Sequence, residues 1–188
     1  MAASQGLLAA ADATDNPHVA CFALGAYGYA QTAADPAAAY EALRRGLRIA
    51  EDSGNRLVES APCERAAEAG GRPRHAVSAF DHLTLAIRNY HNAGNTTTIH
   101  VPLAILAALF DRLGRYQPAA TIAGFALSPF SAAAVPEITT AITHLRDVLG
   151  DQTYGSLARK GETMTTAAMA TYAYDQIDQA RAQLLTAD

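Results

Sequence analysis

Residues 35–55 read DPAAAYEALRRGLRIAEDSGN. Asp35-Pro36 interrupts whatever precedes it. Pro36 suits the first turn of a new helix, where the amide hydrogen it lacks has no intrahelical acceptor. Tyr40, Leu43, Leu47 and Ala50 then recur at helical spacing and form one apolar stripe. Gly54-Asn55 ends the run, because both residue types tolerate the left-handed conformation that closes a helix. Upstream, HVACFALGAYGYAQTAAD (18–35) is a second helical run. Phe22, Ala26 and Tyr29 fall on one face of it, with Val19 one turn earlier. Together the two runs predict an αα-hairpin of about 40 residues.

The same ending recurs in both directions. Asn16, Asn55 and Asn95 end the strings ATDN, DSGN and NAGN at spacings of 39 and 40 residues. Each is expected to close the second helix of a pair. The next pair is RLVESAPCERAAEAGG (56–71), interrupted by Pro62, then RPRHAVSAFDHLTLAIRNYHNAGN (72–95) with a stripe of Ala76, Phe80, Leu83 and Ile87. The third runs TTIHVPLAILAALFDRLG (97–114) and, after Arg115, YQPAATIAGFAL (116–127). An even period of this size predicts a solenoid, since each hairpin buries its apolar face on a neighbour. ASQGLLAAADATDN (3–16) reads as the second helix of a repeat whose first helix is missing, so the chain is expected to be a piece of a longer protein.

Beyond residue 132 the rhythm changes. PEITTAITHLRDVLG (136–150), DQTYGSLARKG (151–161, stopped by Gly161) and a long final helix capped by Thr165 are expected to close the stack. The expected fold is all-α: residues 1–132 form about three hairpins after a half repeat, and 133–188 form capping helices of the same domain.

The hairpins resemble divergent tetratricopeptide repeats. That pattern puts a small residue where the second helix crosses the first and larger apolar residues a turn or two later. Ala39 and Leu43, and Ala76 and Phe80, stand at those positions, as do Ala119 and Ala126, the latter without the increase in size. Gly46 and Ala123 are undersized for it, and the longer period is similar to the irregular repeats of the maltose-regulator group. LRDVLGDQTYGSLARKGETMTTAAMATYA (145–173) resembles the closing segment of large bacterial regulators that join a signalling NTPase to helical repeats. The features carrying that likeness are Leu149-Gly150, Tyr154, Ala158, Gly161 and Thr165; Ala167 and Ala168 stand where acidic residues are usual. Many such proteins carry a LuxR-type DNA-binding or an adenylate cyclase domain. The resemblance implies a right-handed tetratricopeptide-like solenoid serving as a non-catalytic interaction and sensor module. The alternative it implies is a small-molecule effector-binding domain of the same kind of regulator.

Composition narrows the classes further. Net charge is −4, so no basic field calls for nucleic acid. Arg greatly outnumbers Lys, of which Lys160 is the sole example, a mark of GC-rich coding. Cys21 and Cys63 sit in apolar helical patterns and read as buried free thiols. No secretory n-region is visible, and VPLAILAALF (101–110) is about half of what a membrane span requires, so a cytoplasmic location is expected.

No phosphate loop, G-x-S-x-G, H-E-x-x-H, C-x-x-C or EF-hand pattern occurs. No catalytic residue, cofactor or metal is therefore expected. The candidate binding residues are weaker in kind. Arg44, Arg45 and Arg48 form the densest basic cluster, with Glu41 one turn before Arg45; a solvated face is the plain reading and an anchor for an acidic segment the sharper one. His75 and His82 are seven apart, two turns of one helix, but a metal site needs three or four ligands. Tyr40, Tyr27, Tyr29, Tyr90, Tyr172 and Tyr174 are packing residues or, on an inner wall, binding anchors. The expected partner is a protein, a peptide or another domain of the parent chain, with a small effector possible, and neither nucleic acid nor membrane.

Overall fold

The computed structural model describes residues 2–31, 34–53 and 73–186, apart from some side chains near the ends of these ranges. The expected helix over 56–71, with Pro62 and Cys63, and the Gly54-Asn55 stop lie outside the described residues. Among the described residues there are ten α-helices and no strand. They are α1 (Ala2–Asp12), α2 (Pro17–Gln31), α3 (Pro36–Ser53), α4 (Pro73–Asn92) and α5 (His100–Arg112). They continue as α6 (Tyr116–Ala126), α7 (Pro129–Ala134), α8 (Glu137–Leu149), α9 (Asp151–Glu162) and α10 (Thr166–Thr186).

Their main contacts fall into two sets. In the first, α2 packs against both α1 and α3. The stripe of α3 is largely inward: Leu43 and Ala50 are buried and Leu47 half-buried, while Tyr40 stays exposed. On α2 the face that carries Phe22 and Tyr29 is not the core face. Ala20, Cys21, Ala23, Leu24 and Gly28 are buried, whereas Val19, Phe22 and Tyr29 face outward. A Cβ placed on Gly28 would lie 2.6 Å from Leu43 Cγ, so the Leu43 side chain of α3 already fills the space over this glycine. α2 is apolar on more than one side, and periodicity alone cannot choose which side packs. The Cys21 thiol is buried, with Sγ 3.2 Å from the Gly46 carbonyl oxygen.

In the second set, α5 is the central helix. Every residue from Val101 to Asp111 is buried, as expected of a helix that is apolar on all sides. α4, α6, α7 and α8 pack against it. Each Leu or Ile so buried contributes about 1.5–3 kcal/mol relative to exposure. The α4 stripe of Ala76, Phe80, Leu83 and Ile87 is wholly buried, and Phe80 meets Phe110 of α5 at 5.7 Å between ring centroids.

α6 and α9 cross at backbone distance. A Cβ on Gly124 would run into the Ala158 backbone, and one on Gly161 into the Thr121 carbonyl. Gly161 therefore does not stop α9, as its position near the end suggested. The helix runs on to Glu162, and the glycine is a buried crossing point. Finally α10 returns to α4, where Arg181 donates to Asp81 at 2.7 Å and to Thr84 at 3.4 Å. A row of hairpins that touch only their neighbours does not contain that contact.

Of the described asparagines, Asn95 takes part in closing its helix as expected, and both Asn16 and Asn95 also open the helix that follows. Gly94 takes the left-handed conformation (φ +68°), and no non-glycine residue with positive φ occurs among the described residues. The Asn95 amide does help close α4, donating to the Tyr90 carbonyl at 2.9 Å. Its side chain opens the turn leading into α5, accepting from the Thr98 amide at 2.9 Å. Asn16 likewise accepts from the His18 amide at 3.0 Å, at the start of α2. Asparagine is favoured there because its carbonyl oxygen satisfies amides that the first turn leaves unpaired. Thr165 caps α10 as expected, accepting from the Ala168 amide at 3.2 Å.

Candidate functional site

The basic cluster of α3 borders the main groove described. Its walls are α1 and α3 and its floor is α2. Leu8, Leu24, Tyr27, Ala38 and Ala42 supply the apolar lining, and Glu41, Arg45 and Arg48 supply charge. The groove encloses about 330 Å³ and is open to solvent along one side. Ala38, Glu41, Ala42, Arg45 and Arg48 share one face because they recur at helical spacing. The groove exists because α1 and α3 each pack on α2, leaving space between them.

The three arginines part company here. Arg45 donates to Asp12 of α1 at 2.6 Å, an ion pair that ties the two walls together. Arg48 lines the groove with no carboxylate partner among the described residues. Arg44 points away from the groove lining and sits 3.9 Å from Glu41 along the exposed face of α3. Tyr40 is 49% exposed and lies outside the lining, whereas Tyr27 forms part of it.

Beside the groove, α2 presents a row of large side chains to solvent. Phe22 is 72% exposed, Tyr29 56% and Val19 45%. Their spacing of three and seven residues puts them on one side of the helix. The helical spacing had already placed these residues on a common face, which the structure turns to solvent. The signal for the true core face was the run of small residues around Ala20, Ala23 and Gly28.

His75 and His82 are both on α4. His82 is half-buried, and the side chain of His75 lies outside the described set. Among the described residues no group of three His, Cys, Asp or Glu side chains comes together as metal ligands would. Tyr90 is buried, and Tyr172 and Tyr174 are half-buried. Lys160 lies 5.7 Å from the centre of the Tyr172 ring. Burial pushes the Tyr174 hydroxyl above its ordinary value, against the pull of the nearby Arg88.

Sequence reading did not single out a second polar cluster. Asp111 ends the apolar run of α5 and is nearly buried, with its carboxylate 2.8 Å from Nδ1 of His144 on α8. Tyr116 meets the His144 ring edge-on at 5.7 Å. An aspartate inside so apolar a helix needs a partner to avoid a large desolvation cost, and His144 provides it. The one signal in the sequence was the acidic residue itself. Its partner is 33 residues away and follows no local spacing. Asp12 and Arg45 are hidden in the same way.

Comparison with known proteins finds no match: no family model, no curated protein and no solved structure matches this chain.

Proposed function

We propose that the chain is a non-catalytic protein-interaction and sensor module, built of tetratricopeptide-like hairpins in a solenoid and belonging to a larger bacterial signalling NTPase or transcription regulator in the cytoplasm. The observation that carries the interaction role is the outward row of Val19, Phe22 and Tyr29 on α2. Large apolar side chains left in solvent on an otherwise well-packed helix pair mark a surface used in association. Aromatic side chains are the usual anchors of such surfaces. The tetratricopeptide-like character is supported by burial of the small-to-large pairs Ala39 and Leu43, and Ala76 and Phe80. In the parent protein, partner binding here would alter restraint on the NTPase. That mechanism requires two populated states with different affinity for the partner.

The test is capture of a protein from the organism's own lysate by the immobilised chain. Specific capture lost in Phe22→Ser and kept in Lys160→Ala supports the reading. Capture that is indifferent to Phe22, or no capture together with unchanged NTPase activity in a parent protein lacking this region, refutes it.

A second reading is supported by a separate observation. The groove between α1 and α3 has the apolar floor and few charged groups typical of small-ligand sites, and its volume lies at the low end of their range. On that reading the module binds an effector there. Retention of a metabolite in native mass spectrometry, abolished by Leu24→Ser, would support it.

A further inference from the structure

We propose that the groove between α1 and α3 binds a small monocarboxylic acid with an unbranched apolar body, its carboxylate held by Arg48. The inference rests on the small-ligand reading and specifies the chemistry of that ligand.

Three observations converge. Leu8, Leu24, Ala42 and Tyr27 make a floor that offers mostly apolar contact. At one end stands the Arg48 guanidinium, with no carboxylate partner among the described residues. A planar fork of N–H donors suits a carboxylate, which it can grip through two parallel hydrogen bonds. Arg45, one turn away, is already committed to Asp12 at 2.6 Å and holds the walls in place. Its charge is largely answered, so among the described lining residues Arg48 is the cation without a carboxylate partner.

The opposite end carries the reverse sign. Glu41 lies two turns before Arg48 on the same face, about 10 Å along the helix at 1.5 Å per residue. Its contact with Arg44 is long, 3.9 Å, and exposed. The groove is therefore polar end to end: it favours an anionic head at Arg48 and repels a second carboxylate at Glu41. In a chain of net charge −4, anions are not attracted generally, so capture depends on this local cation. A chain of about eight carbons spans the distance between the two charges and lies along the apolar floor.

The probe is octanoate, titrated calorimetrically into the full chain at pH 7 and low salt. Saturable one-to-one binding is expected. Arg48→Ala should weaken it at least tenfold, and Arg48→Lys, which keeps the charge and loses the fork, several-fold. Arg159→Ala, on α9, should leave it within twofold. Octylamine should bind at least tenfold more weakly than octanoate. Octanedioate should bind poorly to the native chain and gain at least fivefold in Glu41→Gln. Circular dichroism melting of each variant establishes that the fold is kept, and Arg48→Lys stands in if Arg48→Ala unfolds.

Equal octanoate binding by the native and Arg48 chains, or equal binding of octylamine, overturns the proposal. So does the absence of saturable octanoate binding. If a non-acidic metabolite is then retained in a Leu24-dependent way, the acid assignment fails while the small-ligand reading stands. If nothing is retained, both fail.

Discussion

The α1–α3 group and the α4–α10 group use the same alanine-rich helices and bury them differently. In the first, most of the buried residues are small, Leu24 and Leu43 being the large ones, while Phe22, Tyr29 and Tyr40 are left in solvent. In the second, α5 is enclosed and large side chains fill the centre. Of the twelve largest fully buried side chains among the described residues, only Leu24 belongs to the first group. Burial of apolar area is the main favourable term in folding. The second group thus buries more of its large apolar side chains, and on that ground its amides are expected to open at higher free energy.

The strongest way to break this contrast is to remove a central ring. Phe110→Ala should cost about 3–5 kcal/mol, the usual penalty for deleting a buried aromatic side chain. Native-state hydrogen exchange on the wild-type chain should show α1–α3 amides opening at lower free energy than those of α5. Equal opening energies in both groups would remove the distinction.

Two glycines sharpen the comparison. Gly161 of α9 faces a backbone carbonyl, which cannot move without shifting α6, so Gly161→Ala should destabilise by about 3 kcal/mol. Gly28 of α2 faces mainly the side chain of Leu43, which can rotate. Gly28→Ala also gains about 1 kcal/mol in helix propensity, so its net cost should be about 1 kcal/mol or less. Denaturant melts of the two variants measure the difference. A larger loss at Gly28 would mean that the α2–α3 contact is the more rigid one.

The groups should also separate in alkali. Burial raises the Cys21 thiol above its ordinary 9.0. Burial also raises the Tyr154 hydroxyl above 10.0, opposed by Arg146 and reinforced by Glu162. A group raised in the folded state binds its proton more tightly there than in the unfolded chain. The stability it confers is complete below the unfolded value and is lost as pH rises from that value through the folded one. Cys21 should therefore begin to weaken the first group near pH 9, and Tyr154 and Tyr174 the second near pH 10. Thermal melts between pH 8 and 11 test this, with Cys21→Ala and Tyr154→Phe each expected to flatten its own part of the decline.

The smallest effect is expected at the groove wall. The Arg45–Asp12 pair is substantially exposed, so Asp12→Ala should cost only about 0.2–1 kcal/mol. If the pair organises the groove, the same change should nonetheless weaken octanoate binding, separating site geometry from stability.

Much of the helical framework was legible in the chain. Pro36, Pro73 and Thr165 mark helix starts, Gly94, Gly114 and Gly150 supply the left-handed turns, and the α4 stripe declared its buried face. These are local signals: a cap, a φ angle and a 3.6-residue period each depend on residues within a turn or two. The α3 arginines were legible as candidates for the same reason. What escaped was set by distance across the chain. Whether Phe22 or Ala23 packs depends on which side of α2 meets α3, where Leu43 seats over Gly28. Gly161 reads as a helix stop until α6 is seen against it. Arg44, Arg45 and Arg48 look alike until Asp12, 33 residues before Arg45, pairs with one of them and the groove takes in another. By itself the sequence determined that the chain is helical and where most of its described helices begin and end. Only the tertiary structure decided which face of α2 is core and which arginine pairs with Asp12, because both depend on contacts between residues that no local period relates.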